Sequence, residues 1–140
     1  MNLQIQIIKK NIKLKDFAFQ HSLKTRWKDL DAFRHINNAV FLSYIEDARI
    51  LLLKRWDIDY NKKSLIVASV KIDYINQVKH PSSLKIGQRV SRIGTKSFDI
   101  ESAVFCDNDL VCFSTITSVA FDFELNKTIN VFQEIKDDFI

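Results

Sequence analysis

The chain predicts an α+β domain in which an antiparallel sheet wraps around one long helix. Three observations predict it. A single sustained helical pattern of apolar residues runs from Asn38 to Trp56, strand-like patterns occupy most of the rest, and their order is strand, helix, then about four strands. At 140 residues and 46% apolar content, one domain covering residues 1–140 has enough material to bury a proper core.

The opening stretch MNLQIQIIKKNIKLK alternates polar with apolar residues and lacks the continuous apolar run of a secretory signal. No apolar run approaches the roughly 20 residues a bilayer needs, so a soluble, cytoplasmic protein without a membrane span is expected. FQHSLKTRW then alternates strictly. Phe19, His21, Leu23, Thr25 and Trp27 lie on one face, and Gln20, Ser22, Lys24 and Arg26 on the other, which predicts a strand.

From Asn38 the period changes. Val40, Phe41, Tyr44, Ile45, Ala48, Leu51 and Leu52 recur at helical spacing, while Glu46, Asp47, Arg49 and Lys54 fall on other faces. Ile50 and Leu53 widen the apolar stripe, so the helix is expected to be largely enclosed by sheet. SLIVASVKIDYINQV reads as one long strand and QRVSRIG as another. KSFDIESAVFC and LVCFSTITSVAFDF flank the turn DND as a hairpin, and the tail VFQEIKDDFI reads as a short amphipathic helix.

Composition excludes several chemistries. Gly87 and Gly94 are the only glycines, so phosphate-binding loops of the GxGxxG and GxxxxGK[ST] kinds are impossible. GxSxG and HExxH are absent as well. Cys106 and Cys112 are spaced neither as a metal pair nor as a disulfide framework and read as small buried hydrophobes. No metal and no cofactor are expected. The net charge of +4 is mild and scattered, which helps attract an anionic ligand without indicating nucleic acid.

The chemistry concentrates in WKDLDAFRHINNAV, immediately before the helix. A helix start carries unpaired N–H donors and a partial positive charge, and Asn37 or Asn38 is a favoured cap. Such donors can bind an anion or the oxyanion formed when a carbonyl is attacked. Asp31, just upstream, is placed to loop back beside that end as a base or nucleophile. Asp29 is a rival, since in extended chain it points the same way as Asp31. Glu46 lies about 12 Å further along the helix, too far to share one carbonyl with its start, and reads more simply as an ion-pair partner of Arg49. Spacing alone equally allows Asp31 to be a loop acid, His35 a structural histidine and the asparagines plain caps.

DLDAFRHINNAVFLSYIEDARILLL resembles the signature of hotdog-fold acyl-CoA thioesterases of the 4-hydroxybenzoyl-CoA thioesterase type, approximately D-x-D-A-x-G-H-V-N-N-A-x-Y-L-x-Y-x-E-x-A-R. VKIDYINQVKHPSSLKIGQRV and RIGTKSFDIESAVF resemble that family's later strands, so the likeness covers roughly residues 19–130. It implies the hotdog fold, hydrolysis of an acyl-CoA thioester, Asp31 as the catalytic carboxylate, and the Asn38 main-chain N–H as the group that polarises the carbonyl. It implies substrate-side roles for His35 and Asn37, for Tyr74 near a subunit interface, and for Lys96 and Arg34 toward phosphate. Arg34 stands where the family often has glycine, so a positive φ there would be strained. The family pairs sheets into dimers with active sites between subunits, hence an expected homodimer or homotetramer. Two alternatives stay open on these residues: an acyl-thioester binder without turnover, and a thioesterase acting on acyl carrier protein.

Overall fold

The structure, a computed structural model, describes residues 11–139. The opening MNLQIQIIKK, expected not to be a signal, lies outside the described residues. The elements are β1 (Phe19–Lys24), α1 (Asn38–Arg55), β2 (Ser64–Tyr74), β3 (Ser83–Ile93), β4 (Ser97–Cys106), β5 (Asp109–Asp122), β6 (Lys127–Thr128) and a short α2 (Gln133–Asp137). The long strands form one antiparallel sheet in the order β1-β3-β4-β5-β2, with β6 on β5. This curled sheet around one main helix is the hotdog arrangement.

Register explains what each face does. His21, Ile86, Val104, Cys112 and Tyr74 form one row across the sheet. Ile86, Val104 and Cys112 are buried in one cluster with Ile36, Phe41, Tyr44, Ile45 and Ala48 of the helix side. Rows alternate in facing. The neighbouring row through Gly87, Ala103 and Phe113 therefore belongs to the convex face, where Phe17 packs with Ala103, Phe105 and Phe113. Phe17 lies directly on Gly87, with its ring 2.6 Å from where a β-carbon would sit, so a side chain there would clash.

Helix α1 starts where expected. The Asn37 side chain accepts a hydrogen bond from the Ala39 N–H at 2.9 Å, and Lys54 and Arg55 complement the negative end. Asp57, with φ of 54°, stops it in the left-handed conformation. The expectation of a helix enclosed by sheet is corrected. Phe41, Tyr44, Ile45, Ala48 and Leu52 are buried, but Ile50 and Leu51 are 44% and 48% exposed. A single sheet of this width curls over one side of the helix and leaves the other open.

Strand ends also differ. The strand in FQHSLKTRW ends at Lys24, and its alternation carries on through buried Thr25 and exposed Arg26. It fails at Trp27, because the Asp29 carboxylate caps the Arg26 N–H and folds Trp27–Asp29 into a 3-10 turn that leaves Trp27 exposed. The strand expected over QRVSRIG begins earlier, at Ser83, its pattern hidden by the packing glycine Gly87. The strand beginning at Ser64 ends at Tyr74, before INQV. The DND turn is a tight hairpin in which Asp107 and Asn108 both take positive φ, and the tail helix is present.

Candidate active site

The loop before α1 is held by Asp29. Its buried carboxylate pairs with Arg26 at 3.0 Å and accepts the Arg26 N–H at 2.9 Å and the Tyr44 hydroxyl at 2.5 Å, while its carbonyl accepts the Asn37 N–H at 2.9 Å. Burial acts to raise its pKa, but the bonds from Tyr44 and Arg26 outweigh burial and hold it below the usual carboxylate range. Burial and the Asp29 carboxylate push the Tyr44 hydroxyl well above the usual phenol value. Asp29 is thus fully engaged in tying the loop to the helix.

Asp31 is engaged on one side. Its Oδ1 accepts the N–H groups of Phe33 at 2.8 Å and His35 at 3.2 Å, and its main chain closes the loop with Arg34 and His35. Among the described residues, Oδ2 accepts no hydrogen bond. Arg34 sits at the apex with φ of 63°, the left-handed conformation that glycine adopts most readily.

The next connecting segment lies against this loop. Ile36 N–H donates to the Val78 carbonyl at 2.8 Å, and His35 bridges Lys79. At the end of β2, the Tyr74 hydroxyl donates to the Asn38 carbonyl at 2.9 Å, joining the sheet edge to the first residue of the helix. Partial desolvation raises the Tyr74 pKa, so the phenol stays protonated and a donor at neutral pH. The Asn38 N–H finds no acceptor among the described residues, as befits the first turn of a helix.

Asp31, His35, Asn37, Asn38 and Tyr74 line one groove of about 470 Å³, floored by Ile36 and Phe41. Phe41 meets Tyr74 edge-on at 6.0 Å and Tyr44 at 5.9 Å, so the floor is aromatic. Phe33, Asn76 and Gln77 also line it. Sequence reasoning missed these three, because Phe33 reads as a loop residue and INQV as the end of a strand. Among the described residues no three metal-ligating side chains cluster, and no helix is long and apolar enough to cross a membrane.

Not every expected residue gathers here. The Lys96 carbonyl accepts the Ala120 N–H at 2.9 Å, on the far stretch of β5. Cys112, which pairs with Tyr74, lies on the order of 26 Å back along that strand at about 3.3 Å per residue. Within one chain Lys96 is therefore remote from the groove. Arg89 and Arg92, which with Arg34 and Lys96 are the basic residues expected to supply a rim for the phosphates of a CoA donor, are committed to Glu101 and Asp99, each at 2.8 Å. Glu46 pairs with Arg49 at 2.6 Å, the helix ion pair their spacing predicts.

Comparison with known proteins bears on the fold and the family. The model of the family described as "Thioesterase-like superfamily" matches residues 25–139. YsmA of Bacillus subtilis is 31% identical over 86 residues, which span 60% of this chain and 58% of YsmA. The long-chain acyl-CoA thioesterase FadM of Escherichia coli is 23% identical over 124 residues, covering 84% of this chain and 94% of FadM. Among solved structures, the PA5185 protein of Pseudomonas aeruginosa superposes with a TM-score of 0.81 at 23% identity, covering 91% and 92% of the two chains. A Thermus thermophilus thioesterase complexed with coenzyme A and Zn superposes with a TM-score of 0.78 at 27% identity, covering 87% and 97%.

Proposed function

The chain belongs to the thioesterase-like superfamily, and from that premise we propose that it hydrolyses an acyl-CoA thioester to a free acid and CoA in the groove at the start of α1. One observation carries the reading. A carboxylate with one unengaged oxygen, Asp31, and an unpartnered helix-start N–H, Asn38, line the same groove.

The thioester carbonyl oxygen sits at the Asn38 N–H, where the helix dipole and the free donor stabilise the negative charge that develops on attack. Asp31 Oδ2 takes a proton from water as the water oxygen bonds to the carbonyl carbon, and collapse of the adduct breaks the C–S bond and releases the CoA thiolate. In the covalent variant Oδ2 itself bonds to the carbonyl carbon and expels the CoA thiolate as the C–S bond breaks, and water then cleaves the anhydride to the free acid and the restored Asp31 carboxylate. The two hydrogen bonds on Oδ1 fix the carboxylate in either case. Asn37 shapes the helix start, His35 and Tyr74 line the groove, and Arg34 stands at the loop apex toward the solvent side, where a CoA phosphate would lie.

The site is completed by a second copy of the chain. Edge strand β2 exposes Ile66, Val67 and Val70 at 38–41%, an apolar edge that soluble proteins normally cover. Antiparallel pairing of β2 with its counterpart brings the Ser64 end of one copy to the Tyr74 end of the other. Lys96, remote within one chain, then enters the site from the partner.

A panel of acyl-CoA thioesters with free-thiol detection tests the reading. Release of CoA from at least one thioester, lost in Asp31→Asn, is expected. Tight acyl-CoA binding without any thiol release would instead identify a binding protein.

A further inference from the structure

The described surface also carries a cavity larger than the groove at the helix start. It is a separate trough of about 800 Å³ around the ends of β1, β3 and β4, walled by the segment Lys13–Lys15. Lys13, Lys15, Lys24 and Lys85 line it, all exposed, against one lining carboxylate, Asp107. These lysines contrast with the arginines. Arg26, Arg49, Arg55, Arg89 and Arg92 each sit in an ion pair, whereas none of the four lysines has a carboxylate at ion-pair distance among the described residues. The nearby Asp16 carboxylate is turned to the Lys13 main-chain N–H at 2.9 Å. Residues 1–12 include Lys9 and Lys10 and no acidic residue. The trough thus sets four lysines against one lining carboxylate, a local excess of positive charge.

The chemistry of the trough selects among anionic partners. A small phosphate ligand is usually held by a forked guanidinium, a helix start or a nest of main-chain N–H groups. The lining residues offer no arginine, and the single 3-10 turn that starts among them at Leu14 is already closed by the Asp16 carboxylate. Phe105, the one lining aromatic, is 4% exposed and gives a base no face to stack on. Four long, separately mounted ammonium groups around a wide trough instead suit carboxylates distributed over a protein surface.

We propose that this lysine trough docks a small acidic carrier protein that presents its acyl group on a phosphopantetheine thioester arm. The inference rests on the thioesterase reading above and adds a protein-borne donor. The trough and the candidate site share one end of the sheet. Thr25 N–H donates to the Ser82 carbonyl at 2.9 Å, and the chain from Lys24 to Asp31 spans at most about 24 Å fully extended. A partner seated on the lysines is therefore within reach of the groove for a flexible arm. The positive field also steers an acidic partner to this end of the molecule.

The test is a charge reversal, Lys24→Glu with Lys85→Glu, at two exposed strand positions outside the proposed catalytic groove. Binding of a holo acyl carrier protein is followed by NMR titration, and hydrolysis of its acyl form is compared with that of acyl-CoA and acyl-pantetheine. The double variant should weaken carrier binding and raise KM for the acyl carrier at least about tenfold at low salt. KM for acyl-pantetheine and acyl-CoA should stay within about twofold. Unchanged carrier binding overturns the proposal. An acyl-CoA KM that rises as much while acyl-pantetheine is unaffected also overturns it, and assigns the trough to nucleotide phosphates. If the wild type hydrolyses none of these thioesters, the catalytic reading fails, while the titration still decides whether the lysines dock the carrier.

Discussion

The Tyr74 hydroxyl donates to the Asn38 carbonyl at 2.9 Å, so the edge strand of the sheet sets the position of the first residue of the central helix. Tyr74→Phe keeps the ring and its edge-on contact with Phe41 but removes that bond. A net loss of about 0.5–1.5 kcal/mol is typical for one hydrogen bond and corresponds to roughly two- to tenfold in rate. The fall should appear in kcat more than in KM, measured on the best acyl-CoA, because the donor at the helix start is displaced while the groove stays open.

Asp29→Asn should destabilise the protein by about 2–4 kcal/mol in urea unfolding, since it breaks a buried carboxylate's bonds to Tyr44 and Arg26. The pH dependence has a fixed sign. The folded pKa of Asp29 lies below its usual value of 3.8, so its contribution is complete above that value and is lost as pH falls through the folded pKa. Wild-type stability should therefore drop below about pH 4, and Asp29→Asn should flatten part of that drop. An unchanged acid limb in the variant would show that Asp29 does not hold the loop.

Arg34→Gly should raise stability by about 0.5–1 kcal/mol. A left-handed non-glycine residue costs about 1–2 kcal/mol, partly offset by the greater freedom of glycine in the unfolded chain. Thermal unfolding measures this directly. If Arg34 also meets a CoA phosphate, KM for acyl-CoA rises in the same variant while KM for acyl-pantetheine does not.

Val70→Lys, at the exposed face of β2, should convert a wild-type dimer into monomers in light scattering and take most of the activity with it. An active monomer, in either protein, would contradict a site completed by a second copy.

The helix, an asparagine cap at Asn37 or Asn38 and the hairpin were legible because each rests on local chemistry: apolar period, side-chain capping, and a tight turn of Asp107 and Asn108. Two features were not legible. Trp27 continues an alternating pattern that the Asp29 cap terminates, and capping depends on a bond between side chain and main chain that no periodicity records. The early start of β3 was masked by Gly87, whose reason is a contact with Phe17, distant in sequence. Around the groove, the motif residues Asp31, His35, Asn37 and Asn38 lie together, and Tyr74, named only by the family resemblance, joins them from the end of β2. Asn76 and Gln77 join them only because the 75–80 segment folds against the pre-helix loop, a tertiary event without a local signature.

The most direct test of the account is Asp31→Asn. Asparagine retains Oδ1 for the N–H groups of Phe33 and His35 and replaces the unengaged Oδ2 with an amide nitrogen, so the loop keeps its anchor while the reactive oxygen disappears. With the best acyl-CoA as substrate, kcat should fall at least about 100-fold, because base catalysis alone is worth about 10²–10⁴-fold. KM and the unfolding midpoint should change little. Near-normal turnover in Asp31→Asn, with Glu46→Gln inactive instead, would contradict the assignment of the chemistry to Asp31.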